Sequence, residues 1–255
     1  MTRNGSFAMI CALFLLTMLA IPTMDAAHSG DVYVADSNGL PETEPETVVL
    51  QPNGTVGKDT WIRTDHPDDN YGINSFMVAG NGTNTYNSLL QIDIPTNDVP
   101  FLDATLSLCA DADAGNALEV TVFAASSPWE EGTQNALVDA ANWSYNTDST
   151  LWTNPGGDYY GTESSTIEVP IMDVWYSWNV TEIVNNWASG SWDNNGFFIG
   201  SNNPDPGTNN WVQFYSSDYN TDPSLRPKLK LTYAPHLDNE IPDQVMDEDE
   251  TRSLP

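Results

Sequence analysis

Short runs of alternating apolar and polar residues recur along most of this chain. The closing run is the clearest. Leu229, Leu231 and Tyr233 point one way and Lys228, Lys230 and Thr232 the other, which predicts a half-buried strand. Similar runs predict strands over Asp59–Thr64, Ser75–Ala79, Ser88–Ile94, Ala104–Ala110 and Ala117–Ala125. They continue over Thr166–Ile171, Trp175–Val180, Gly196–Gly200 and Trp211–Ser216. Gly, Asn, Asp and Pro punctuate them, and Asp111–Asn116 reads as a hairpin loop between two of them. One segment breaks the rhythm. Ile183, Val184 and Trp187 share a helical face, with Thr181 placed to cap the helix start and Gly190 to stop its end. The pattern predicts an all-β, two-sheet β-sandwich with one short helix near 181–188, filling about residues 47–234.

The two ends differ from this middle. Arg3 precedes an apolar run from Phe7 to Pro22 and then Asp25-Ala26-Ala27, which predicts a secretory signal peptide over 1–27. An uncleaved anchor is the competing reading. Residues 28–46 are acidic and Pro-rich, as in a flexible spacer. Residues 235–255 repeat that character. They read either as a disordered tail or as the start of a further surface repeat.

The order of pieces within the middle resembles the DNRLRE domain, also described as the disaggregatase-related repeat and as carbohydrate-binding module family 96. Lys58-Asp59-Thr60-Trp61-Ile62 stands as the opening strand, followed by Asn70-Tyr71-Gly72. Leu89-Leu90-Gln91-Ile92-Asp93-Ile94 and Ala104-Thr105-Leu106-Ser107-Leu108 follow as the next strands. Trp129-Glu130-Glu131-Gly132 with Trp143 matches the family's "W-E … W" loop. Asn179 replaces the usual Asp before Val-Thr, and Asp218 replaces a Glu. The resemblance implies a non-catalytic jelly-roll module on a secreted or surface protein.

Charge narrows the partners. The chain carries 36 acidic and 7 basic residues, a formal charge of −29, so its surface repels nucleic acid and anionic lipid. After signal cleavage no membrane insertion is expected, and the location is extracellular or cell-surface. Cys109 is then the one remaining thiol, on an alternating strand where it reads as a small core residue. Histidine is nearly absent from the predicted domain. His28 and His236 lie outside it, and His66 is alone in a loop. No Ser-His-Asp triad or His-rich zinc site can be assembled.

Three kinds of chemistry remain. Structural calcium is possible at two oxygen-rich loops, one holding Asp65, Asp68 and Asp69, the other Asp111 and Asp113. The same residues also dominate ordinary turns. Glycoside hydrolysis would need two carboxyls about 5–9 Å apart, and no spacing here pairs any. Carbohydrate binding fits the aromatics. Trp152, Tyr159, Tyr160 and Trp192 sit among Gly, Asn and Asp, where rings have little core to fill. Trp61, Trp175 and Trp187 fall on alternating or helical faces and are assigned to the core. Arg226, before Pro227 in a region poor in cations, is assigned a structural role with Asp218 as its partner. The leading reading is a secreted, non-catalytic module that binds a surface or matrix polysaccharide. Its rivals are a purely structural domain of a larger adhesin and a polysaccharide-degrading enzyme; other domains of a longer surface protein are expected partners alongside the glycan.

Overall fold

In a computed structural model the described residues are 44–97, 99–113, 118–169, 172–201 and 210–234. The segment expected to be a signal peptide, nearly all of the expected spacer and the residues beyond 234 lie outside them.

All ten expected strands form. They are β2 (Lys58–Arg63), β3 (Phe76–Asn81), β4 (Tyr86–Gln91), β5 (Asp103–Asp113), β6 (Leu118–Ala125), β7 (Tyr159–Val169), β8 (Trp175–Asn179), β9 (Phe197–Gly200), β10 (Asn210–Tyr215) and β11 (Lys228–Thr232). A further strand, β1 (Thr47–Leu50), pairs with β11. The ladders are antiparallel and fall into two sets. In one, β5 pairs with β8, β11 and β10, and β10 pairs with β3. In the other, the order is β2-β4-β9-β6-β7. A single bridge between Gly80 and Tyr86 joins them. The main core draws alternate residues from both sets: Leu106 and Leu108 of β5, Val120 and Val122 of β6, Trp178 of β8, Phe197 and Ile199 of β9, Phe214 of β10. That is the all-β sandwich the period-two runs demand.

Two local expectations need correction. Asp111–Asp113 end β5, which does not pair with β6, so the two strands are not a hairpin; residues 114–117 lie outside the described residues. β7 begins at Tyr159, seven residues before the expected start, so Tyr159 and Tyr160 open a strand and are not loop residues.

The helix α1 (Thr181–Ala188) lies where the sequence put it, with Ile183, Val184 and Trp187 buried. Thr181 does not cap it. Its Oγ1 instead accepts from Ala104 N at 2.9 Å, tying the helix to β5. Asn179 Oδ1 accepts from Thr181 N at 3.1 Å, so the amide before the helix satisfies the donor that needed a partner. Gly190 follows at φ +72, with its N–H on Trp187 O, the left-handed stop a helix end favours.

Arg226 does not pair with Asp218. Its Nε donates to Tyr219 O at 2.8 Å and its Nη2 to Asn220 Oδ1 at 2.6 Å, which occupies the guanidinium fork on the loop before η1 (Pro223–Leu225). Asp218 lies against Gly54 instead. Burial pushes its carboxyl up, and the Arg226 charge offsets this only partly. Arg226→Ala is expected to cost about 1–3 kcal/mol, the range for hydrogen bonds from a charged donor. Urea denaturation checks this, and an unchanged midpoint would reject the role.

A candidate aromatic binding groove

Where β3 leaves β4 after the Gly80 bridge, the outer face of β3 and β10 meets side chains of β2 and β4. Trp61 and Arg63 come from β2, Phe76 and Val78 from β3, Tyr86 from β4, and Trp211 and Gln213 from β10. They line an open groove of about 230 Å³. Each of three strands contributes residues two apart, because strand side chains on one face recur with period two. Trp61 stacks on Tyr71 with ring centroids 3.8 Å apart. The Arg63 guanidinium lies 5.3 Å from the Tyr86 ring centre and 5.8 Å from that of Trp61. The buried Trp61 Nε1 has no hydrogen-bond partner among the described residues. Phe76 and Trp211 are half-buried, so part of each ring remains open to solvent.

The polar groups of the groove are held from behind. Arg63 forms an ion pair with Asp65, its Nε donating to Asp65 Oδ1 at 2.5 Å. This hydrogen bond raises the pKa of the guanidinium and lowers that of Asp65. Gln213 Nε2 donates to Asp111 Oδ2 at 2.5 Å. A hydrogen bond to Asp111 also raises the Tyr215 phenol. Two of the expected calcium ligands, Asp65 and Asp111, thus fix groove side chains. Asp69 faces His66 Nδ1 at 3.0 Å, and Asp68 is exposed. Asp113 lies at the end of β5, beside residues 114–117, which are outside the described set. Among the described residues no three His, Cys, Asp or Glu side chains stand close enough to hold a metal ion.

The four expected sugar-binding aromatics do not come together. Trp152 is 4% exposed and packs with Trp129, Phe123, Phe198 and Leu89 in a small core of its own. Its Nε1 donates to Asn142 O at 2.8 Å. The long segment between β6 and β7 folds over this ring, so Trp152 presents no face to a ligand. Tyr160 and Trp192 stack at 4.2 Å, nearly parallel at 6°, against the edge of the main core. Each thus covers one face of the other. Tyr159 does remain open, at 43% exposure, over Phe198 and Phe123. It borders a second cleft of about 220 Å³ with Thr85, Asn87, Asn154, Gly156 and Gly157.

The sequence from residue 59 to residue 231 matches the disaggregatase related repeat domain, a span covering the strands from β2 to β11. The chain belongs to that family. No curated protein matches it. The features shared with the disaggregatase related repeat gain a physical account. Asn70 is fully buried, and its Nδ2 donates to Glu131 O and Ala141 O, both at 2.7 Å. Its Oδ1 accepts from Gly72 N at 2.9 Å. A Cβ on Gly72 would strike the Glu131 carbonyl. The Asn70-Tyr71-Gly72 and Trp129-Glu130-Glu131-Gly132 segments of the repeat are thereby locked together, which holds Tyr71 behind Trp61.

The sequence reading does not foresee the groove: Trp61 is buried as expected, but Arg63, Phe76, Trp211 and Gln213 carry no role in it. The available signal was the i, i+2 pairing of a ring with a second side chain on β2, β3 and β10.

Among the described residues no helix is long and apolar enough to cross a membrane.

Proposed function

We propose that this repeat domain is a non-catalytic carbohydrate-binding module of a secreted or surface protein, taking a neutral polysaccharide in the Trp61–Trp211 groove. The carrying observation is an open groove in which Phe76 and Trp211 keep part of their rings exposed over the buried Trp61 and Tyr86, with an amide and a guanidinium beside them. Sugar rings present apolar C–H faces to aromatic rings and hydroxyls to polar side chains, which is the chemistry this groove offers. Packing accounts for the buried Trp61 and Tyr86, but a purely structural domain gives no reason to leave the Phe76 and Trp211 rings partly open. Asp65 already neutralises Arg63, and the chain carries −29, so a polyanion gains little here and is repelled elsewhere. The groove is smaller than a drug-sized pocket, which suits a single sugar ring and weak binding, in the micromolar to millimolar range, or about −8 to −4 kcal/mol.

The enzyme reading lacks a comparable arrangement. Asp59 and Glu131 are both pushed up to about 7 by burial, but Asp59, on β2, is fully buried. A substrate has no way to reach that carboxyl.

The test is titration calorimetry of the full chain with a soluble β-glucan, a galactomannan and a polyuronate. A neutral polymer is expected to bind, with little dependence on salt. Trp211→Ala is expected to weaken that binding at least about tenfold, equivalent to about 1.4 kcal/mol, with an unchanged melt. Equal affinity in the variant would remove the groove from the reading. Release of shorter sugars from any polymer would overturn its non-catalytic part.

A further inference from the structure

The geometry points to a second glycan-binding face on this domain, turned away from the first, so that one molecule can join two polysaccharide chains. The inference rests on the carbohydrate-binding reading above and extends it from binding to bridging.

The basis is the alternation of side chains along the β2–β4 ladder, in which Trp61 pairs with Ser88, Ile62 with Asn87 and Arg63 with Tyr86. Successive side chains on a strand point to opposite faces. Trp61, Arg63 and Tyr86 line the first groove. Asn87, next to Tyr86, lines the Tyr159 cleft together with Phe123, Phe198 and Gly157. Ile62 lies near that second cleft, its Cδ1 4.0 Å from where a Cβ on Gly157 would sit. The two hollows share no lining residue, and Tyr86 and Asn87 carry them on opposite faces of β4.

The second cleft has its own sugar-binding chemistry. Tyr159 presents a ring face, backed by Phe198 at 4.5 Å and by Phe123 at 4.5 Å. Asn87 Nδ2 is taken by Gly156 O and Asn154 Nδ2 by Asp158 Oδ1, which leaves each Oδ1 as an acceptor for a sugar hydroxyl. The cleft is also preformed. Gly156 and Gly157 both hold positive φ, at +97 and +109, and pack against Trp143 and Phe198 so closely that a Cβ on either would clash. Asp158 fastens the turn by accepting from Thr153 N and Asn154 N, both at 2.8 Å, and from Ser127 Oγ at 3.1 Å. At about 220 Å³ it matches the first groove in size, so each face is suited to one sugar ring. Two weak sites on opposite faces cannot both follow one straight chain segment. They suit two separate chains, where linkage in one molecule raises the effective concentration of the second contact.

The experiment uses the full chain with the soluble β-glucan and galactomannan, and short oligosaccharides cut from each. Calorimetry with the oligosaccharide is expected to give two sites per molecule. Light scattering with the intact polymer is expected to rise and then fall as protein is added in excess, as bridging requires. Trp211→Ala and Tyr159→Ala should each halve the stoichiometry and abolish the scattering rise. Pro155→Trp, at an exposed lining position, should do the same by filling the second cleft, which covers the case in which Tyr159→Ala fails to fold. One site in the unaltered chain, lost in Trp211→Ala, would overturn bridging and leave single-groove binding intact. Scattering that persists in all three variants would overturn it in favour of self-association. No binding of any oligosaccharide would overturn both readings.

Discussion

Raising the pH from about 5 to about 8 is expected to destabilise the domain by several kcal/mol, with Asp59 as the principal cause. Asp59 is fully buried, and burial pushes its pKa up to about 7, against the donors offered by Ser217. The neighbouring acids, Asp218 and Glu131, push it the same way. In the unfolded chain an aspartate titrates near about 4. Between those two values the unfolded state has lost its proton and the folded state keeps it. Asp59 therefore contributes stability that is fully present below about pH 4 and lost as the pH rises through about 7. Three pKa units correspond to about 4 kcal/mol. Glu131, also raised to about 7 by burial, acts in the same direction, but it is partly solvated and counts for less. Asp158 acts oppositely. Burial raises it, but four hydrogen bonds outweigh that and hold it below the usual carboxylate range, so its contribution fades as the pH falls. Greatest stability is expected in mild acid. Asp59→Asn keeps an oxygen for the Ser217 N–H, now 2.8 Å from Asp59 Oδ2. It should flatten the alkaline limb and be the more stable protein at about pH 8. Urea denaturation across the range reads both. A limb of equal slope in the variant would assign the effect to the −29 charge as a whole.

Asn70→Asp is expected to be the most damaging isosteric change in the domain, costing about 3–5 kcal/mol. The carboxylate has nearly the shape of the amide. It replaces a donor shared by Glu131 O and Ala141 O with an acceptor, and it leaves a charge buried between two carbonyls. Gly132, at φ +83, sits where even a Cβ would lie 2.6 Å from Asn70 Oδ1, so the loop has no room to relax. The expected result is a large drop in denaturation midpoint together with loss of glycan binding, since Tyr71 would no longer be held behind Trp61. A variant with normal stability would show that the two loops hold together without this amide.

The sheet architecture could be read from residue patterns because burial on one strand face leaves a period of two in the sequence. Leu106, Leu108, Leu229 and Leu231 carry that signal, and all are buried. β1 escaped notice because Thr47-Val48-Val49-Leu50 is short and buried on one side only incompletely. The binding surface was harder for a different reason. Alternation tells which residues share a face of one strand, but not which strands adjoin. Trp61 and Trp211 are 150 positions apart, and only the departure of β3 from β4 brings them to one groove. Trp152 misled because a loop rich in Gly and Asn suggests solvent. Here the segment between β6 and β7 is long enough to build a core of its own around that ring.

The pairing of the first and last strands has a mechanical consequence. Thr47 lies opposite Thr232, and Tyr233 N donates to Glu46 O, so the chain enters and leaves the domain at the same corner. Tension between those two points loads the β1–β11 ladder one hydrogen bond at a time, as a zipper, and not all at once as in shear. Under flow or traction β1 would peel first, while β2, β3, β4 and β10, which build the groove, would still be intact.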